Sequence, residues 1–135
     1  YRVGAPAAYF DGVVAQQRGD CAAAERLIRP IAASDFSNGA LMQYVSALVC
    51  LGRRSEADSV VRAAVADSAR RYVNPVAVAA AHLALGDRDG AMRWLERGAD
   101  ERSLWVMQIH VWPWFEPLRG DPRFEALKRR LGLQP

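Results

Sequence analysis

The cysteines and histidines, Cys21, Cys50, His82 and His110, are the first side chains to test for nucleophilic, acid–base or metal chemistry. Neither histidine has a cysteine or carboxylate at metal-ligand spacing. A catalytic histidine also needs a partner within hydrogen-bond reach, and none is marked by a motif. No glycine-rich phosphate loop, nucleophile elbow or His-Glu-x-x-His phrase occurs. The run Gly86-Asp87-Arg88-Asp89-Gly90 has the look of an acidic calcium loop, but it is too short and lacks the closing glutamate. It reads as a turn between helices. The two cysteines sit among small and apolar residues, so they are expected to be reduced, packed thiols, which makes the cytoplasm the expected compartment. No metal, cofactor or catalytic residue is expected.

The 135 residues are 51% hydrophobic, enough for one domain with a core. The net charge of +3 comes from 18 basic and 15 acidic residues scattered among one another. A nucleic-acid face would need a clustered basic patch, so none is expected. The longest apolar runs, Val76 to Ala81 and Ala47 to Leu51, are far too short to span a membrane. The chain does not begin with Met, and it is expected to be a piece of something longer.

The elements that would position any site come from a repeat. Three phrases align: Val14-Ala15-Gln16-Gln17-Arg18-Gly19-Asp20-Cys21-Ala22-Ala23-Ala24, Ala47-Leu48-Val49-Cys50-Leu51-Gly52-Arg53-Arg54-Ser55-Glu56-Ala57, and Ala81-His82-Leu83-Ala84-Leu85-Gly86-Asp87-Arg88-Asp89-Gly90-Ala91. The glycines at 19, 52 and 86 lie 33 and 34 residues apart, and each is followed five residues later by an alanine. A glycine ends one helix in the left-handed conformation. A polar residue then opens the next, and Asp20 and Asp87 put a carboxylate at its N-terminus. The alanine lets the two helix backbones approach closely. Six helices follow: 5–18, 21–33, 40–51, 55–72, 75–85 and 88–100. Asn74-Pro75 is a strong start signal.

These residues resemble the tetratricopeptide repeat, a family of helical hairpins with about 34 residues per unit. Gly12 matches the small residue of that family's first helix. The resemblance implies an all-α, α-α superhelix of about three hairpins, with repeats at about 5–36, 38–72 and 74–101. After them comes an aromatic C-terminal cap over 102–135, all in one domain. In the cap, 103–110 is expected to be a seventh helix and 121–131 a final one. Phe115-Glu116-Pro117-Leu118-Arg119-Gly120-Asp121-Pro122-Arg123-Phe124-Glu125-Ala126-Leu127 is similar to the closing segment of many bacterial tetratricopeptide proteins. That likeness implies the C-terminal module of a larger signalling or regulatory protein.

The resemblance further implies a non-catalytic interaction scaffold whose first helices line a concave groove. By this register the groove residues are Tyr9, Val13, Gln16 and Gln17 from the first helix, Met42, Ser46 and Cys50 from the third, and Val76, Ala80 and Leu83 from the fifth. The groove is expected to be mostly apolar and to take a peptide or helix of a protein partner. The alternative is a homodimer formed through the groove or the tryptophan-rich tail.

Overall fold

The structure, a computed structural model, describes residues 4–34, 40–70 and 73–133, and the side chains of 4–6, 33 and 34 are not part of that description. It contains seven α-helices: α1 (Gly4–Gln17), α2 (Cys21–Ser34), α3 (Ala40–Cys50), α4 (Arg54–Asp67), α5 (Pro75–Ala84), α6 (Arg88–Asp100) and α7 (Pro122–Arg130). Two short 3-10 helices, Leu104–Gln108 and Pro113–Leu118, lie between α6 and α7. No strand occurs among the described residues, and no described helix is long and apolar enough to cross a membrane. The expected seventh helix at 103–110 is thus a single 3-10 segment. The fourth helix ends at Asp67, short of the expected Tyr72, and its residues 71–72 lie outside the described region.

The three turn glycines behave as their type requires. Gly19, Gly52 and Gly86 have φ of +84°, +76° and +82°, where a side chain would be strained. Each N–H bonds back three residues, and the following N–H bonds back five: Asp20 to Ala15 at 2.8 Å, Arg53 to Leu48 at 2.9 Å, Asp87 to His82 at 2.9 Å. This pair of bonds satisfies the carbonyls that a helix end leaves open. The next helix is then capped where an aspartate is present. Asp20 Oδ1 accepts the Ala23 N–H at 3.1 Å and Asp87 Oδ1 accepts the Gly90 N–H at 2.9 Å. Arg53 holds this place in the second copy and makes no side-chain cap. Asn74 caps α5 through the Val76 N–H at 3.0 Å, with Pro75 at the first helical position.

The close-approach alanines Ala24, Ala57 and Ala91 are all completely buried. Pairing follows the chain: α1 packs on α2, α3 on α4 and α5 on α6, and α3 joins these pairs by also touching α1, α2 and α5. α5 is the centre. Its residues Pro75 to Ala81 and Leu83 are all buried, as expected for a helix that is apolar on every side.

The tail folds back over this centre. The second 3-10 helix packs on α5, the first on α6, and α7 on α6. Phe115 and Leu118 reach the main core with 1% and 0% exposure. The aromatic rings form a chain of neighbours, Trp105–Trp112 at 5.5 Å, Trp112–Trp114 at 5.0 Å and Phe115–Phe124 at 6.4 Å. Ion pairs Arg123–Asp89 at 2.7 Å and Arg130–Asp100 at 2.6 Å tie α7 to α6 at the surface.

One expectation is overturned here. Cys21 and Cys50 are joined in a disulfide with a Cα–Cα separation of 6.1 Å. The repeat explains the meeting. Cys21 lies two residues after the first turn glycine and Cys50 two residues before the second, so stacking neighbouring hairpins brings their turns to one edge. The same edge carries the Arg53–Glu25 ion pair at 3.2 Å and the bond from the Arg54 guanidinium to the Leu85 carbonyl. Each successive pair of turns is therefore tied across, first covalently and then by a hydrogen bond.

Candidate functional site

Five of the ten predicted groove residues converge. Val13, Gln16 and Gln17 of α1 face Met42 and Ser46 of α3 across a cleft of about 270 Å³. Gln43 adds to its floor, and Pro113 and Trp114 of the tail form its far wall. The helix period places these residues. Positions 13, 16 and 17 share one face of α1, and 42, 43 and 46 share one face of α3. Met42 and Gln43 are buried, Val13, Gln16, Ser46 and Trp114 are half-buried, and Gln17 is exposed. Ser46 donates to the Met42 sulfur at 3.7 Å, which fixes both side chains.

The chemistry of this cleft differs from the expected apolar groove. Three glutamines and a serine sit beside two tryptophan-tail residues, a valine and a methionine. No charged side chain lines it. Gln16 Oε1 is buried and has no hydrogen-bond partner among the described residues. A buried amide oxygen in that state costs roughly 1–3 kcal/mol relative to a satisfied one.

The other five predicted residues lie elsewhere. Tyr9 is half-buried and packs with Ile31 and Tyr44 against the small cluster Ile28, Ala32 and Ala40. Burial raises its phenol pKa. Cys50 is held in the disulfide. Val76, Ala80 and Leu83 are 1%, 3% and 9% exposed, because α6, α3, α4 and the 3-10 helix carrying Trp114 and Phe115 all pack on α5. They are core residues, and the groove is closed at its α5 end by the chain itself. Sequence reasoning missed Gln43, Pro113 and Trp114. Gln43 could have been found as the neighbour of Met42. The tail residues had no signal, since nothing local says where an irregular segment returns.

Two further clefts carry titratable groups. One, of about 540 Å³ between α4 and the end of α5, includes Arg54, Ser55, Asp58, Arg62, His82 and Asp87. His82 Nδ1 lies 3.1 Å from Asp87 Oδ2. The Gly90 N–H, with the histidine adding to it, holds the Asp87 carboxyl below the usual range. An ionised carboxylate accepts only, so Nδ1 donates to it, and Nε2 is buried without a described partner. No hydrogen bond joins Ser55 to it among the described residues, so the parts of a nucleophilic triad are not assembled. The other, of about 460 Å³, lies in the tail beside His110, Trp112, Arg119 and Lys128. Its two cations are matched by acids, Lys128 with Glu125 at 3.0 Å and Arg119 with Glu116 at 3.1 Å. No group of three or more potential metal ligands occurs among the described residues.

No protein-family model, curated protein or solved structure matches the chain.

Proposed function

We propose that this chain is a tetratricopeptide-like interaction module that docks an extended, uncharged peptide segment of a protein partner in the cleft between α1 and α3. The observation that carries this reading is the convergence of Val13, Gln16, Gln17, Met42 and Ser46 on one cleft, with an unsatisfied buried acceptor at Gln16. An extended backbone offers N–H and C=O groups to amide side chains. The walls of Val13, Met42 and Trp114 accept one apolar side chain beside them. The lack of charge in the lining disfavours an acidic or basic partner segment, since an ion entering it would be desolvated without a mate. The turn geometry, the buried Ala24, Ala57 and Ala91, and the helix pairing support the repeat reading. The family resemblance of the tail supports a place in a larger regulatory protein. No enzymatic step is assigned.

Selection from a library of short random peptides tests this. Enriched peptides should be uncharged at their centre. Val13→Ala and Trp114→Ala should each weaken their binding by about tenfold, which corresponds to ~1.4 kcal/mol, with the helical circular dichroism unchanged. Enrichment of charged peptides, or binding indifferent to both substitutions, removes the assignment.

A second reading is favoured by one surface feature. Leu104, Trp105, Met107 and Val111 are 84%, 44%, 43% and 62% exposed and follow one another along the tail. An apolar patch of this kind suits self-association. Sedimentation over a range of concentrations tests it, and a monomer throughout counts against it.

A further inference from the structure

The first hairpin is held to the rest of the molecule through α2, which packs closely on α3, while α1 meets α3 only slightly. Its own core consists of Ile28 and Ala32 with Ala40 of α3, flanked by Tyr9, Ile31 and Tyr44. The main core runs from Leu41 to Leu127, and among the described residues Tyr44 packs on both clusters. Among the side chains described for α1, Gly12 alone is fully buried, while Phe10 and Val14 are 65% and 42% exposed. α1, which is mostly exposed on its outer side and meets α3 only slightly, belongs to the low end of local stability. Two ties cross from this hairpin to its neighbour at the turn edge: the Glu25–Arg53 ion pair and the Cys21–Cys50 disulfide. The disulfide runs from the first residue of α2 to the last of α3. It therefore joins the hairpin bearing the cleft's α1 wall to the helix that forms its α3 wall.

We propose that the Cys21–Cys50 disulfide is a redox clamp that holds the α1 wall of the cleft against the α3 wall, and that a dithiol reductant releases the first hairpin while the rest of the fold stays intact. The inference rests on the peptide-docking reading only for what the cleft holds. Cys50 is an exposed residue and Cys21 is 7% exposed, so the reductant's thiolate attacks Cys50 Sγ. The S–S bond breaks, and Cys21 leaves as a thiolate with the bonding pair and takes a proton from water. The second thiol of the reductant then attacks the mixed disulfide, Cys50 leaves as a thiolate, and the reductant is oxidised to its own disulfide. The clamped form belongs to an oxidising compartment. The premise of the cytoplasmic expectation, two reduced thiols, is not met.

Hydrogen exchange read by mass spectrometry tests the clamp on the intact chain, oxidised and after dithiothreitol. Closing a loop with a sequence separation of 29 implies that amides in α1 and α2 lose protection on the order of 10²-fold on reduction. Protection in α5, α6 and α7 should stay within about threefold, and reoxidation should restore α1 and α2. Cys21→Ser/Cys50→Ser should match the reduced protein. If that variant fails to fold, the reduced and reoxidised natural chain still gives the result. Unchanged protection in α1 and α2, or an equal loss in every helix, overturns the clamp. So do two free thiols in protein purified without reductant. Exchange is read without any peptide, so failure of the peptide selection leaves this result standing, and failure of the clamp leaves the selection standing.

Discussion

Gly12→Ala is the substitution that most directly tests how α1 sits on α2. In an exposed helix the change would stabilise by about 1 kcal/mol, because alanine is the better helix former. Here the new methyl would stand 2.5 Å from Ile28 Cγ1 and 2.8 Å from Ile28 Cδ1. Ordinary carbon contacts lie at about 3.5–4.0 Å, so the overlap is roughly 1 Å for two atoms. Ile28 is completely buried and cannot swing into solvent. Overpacking of this kind costs roughly 1–3 kcal/mol. Setting the propensity gain against it leaves a net loss of up to about 2 kcal/mol, or a fall in Tm of up to roughly 8 °C for a domain of this size. Ile28→Ala removes both clashing carbons and by itself costs about 2–5 kcal/mol. On that background Gly12→Ala should become neutral or stabilising, a coupling of about 1–3 kcal/mol in a double-mutant cycle followed by urea denaturation. Stabilisation by Gly12→Ala in the natural background, or no coupling with Ile28, would refute the close helix contact and with it the register of the first hairpin.

Two other perturbations have signs fixed by the structure. Arg102, exposed at the end of α6, has φ of +57°, and the Ser103 N–H to Gly98 bond at 2.9 Å repeats the glycine-turn pattern there. Arg102→Gly should therefore stabilise by about 0.5–1 kcal/mol, while Gly86→Ala should destabilise by about 1–2 kcal/mol, both by denaturant titration. Glu25 is buried at 5% side-chain exposure, and hydrogen bonds first from Arg29 and then from Arg53 hold its carboxyl below the ordinary 4.5. The folded chain therefore binds this proton less tightly than the unfolded one. The stability Glu25 contributes is fully present above pH 4.5 and is lost as pH falls through the folded-state value. Glu25→Gln should flatten the acid limb of a stability–pH profile, and an unchanged limb would show that the pair contributes nothing.

What the sequence made legible follows from where its signals are local. The turn glycines, the alanines behind them, the Asp20, Asp87 and Asn74 caps and the Pro75 start are all decided within a few residues, and the structure has them in those roles. The groove set was half legible for the same reason. The period of α1 and α3 puts Val13, Gln16, Gln17, Met42 and Ser46 on facing surfaces. The polarity of the cleft was readable too, since three of its residues are glutamines. The Cys21–Cys50 bond was decided by the stacking of two turns, information that the repeat register contains. The small and apolar neighbours of both cysteines point instead to packed thiols. The 3-10 geometry of 104–108 and 113–118 was announced only in part, by Pro113 and Pro117.

The tail changes what a substitution in α5 can mean. A groove lined by the first helix of each hairpin would use three helices, and Val76, Ala80 and Leu83 would then be binding residues. With the 3-10 helix of Pro113–Leu118 packed on α5, these three side chains exchange contact with a partner for contact with the chain itself. Val76→Ala and Leu83→Ala should then act through the core. Removing the buried methyls of Val76, at 1% exposure, should cost on the order of 1–3 kcal/mol in stability. Peptide affinity per folded molecule should stay the same. Trp114→Ala should show the opposite pattern, because its ring is half-buried and walls the cleft. Measuring affinity and denaturation midpoint on the same samples separates the two. A Val76 variant that is as stable as the parent but binds less tightly would place the docking face on α5 after all, and the tail would then have to leave it when a partner arrives.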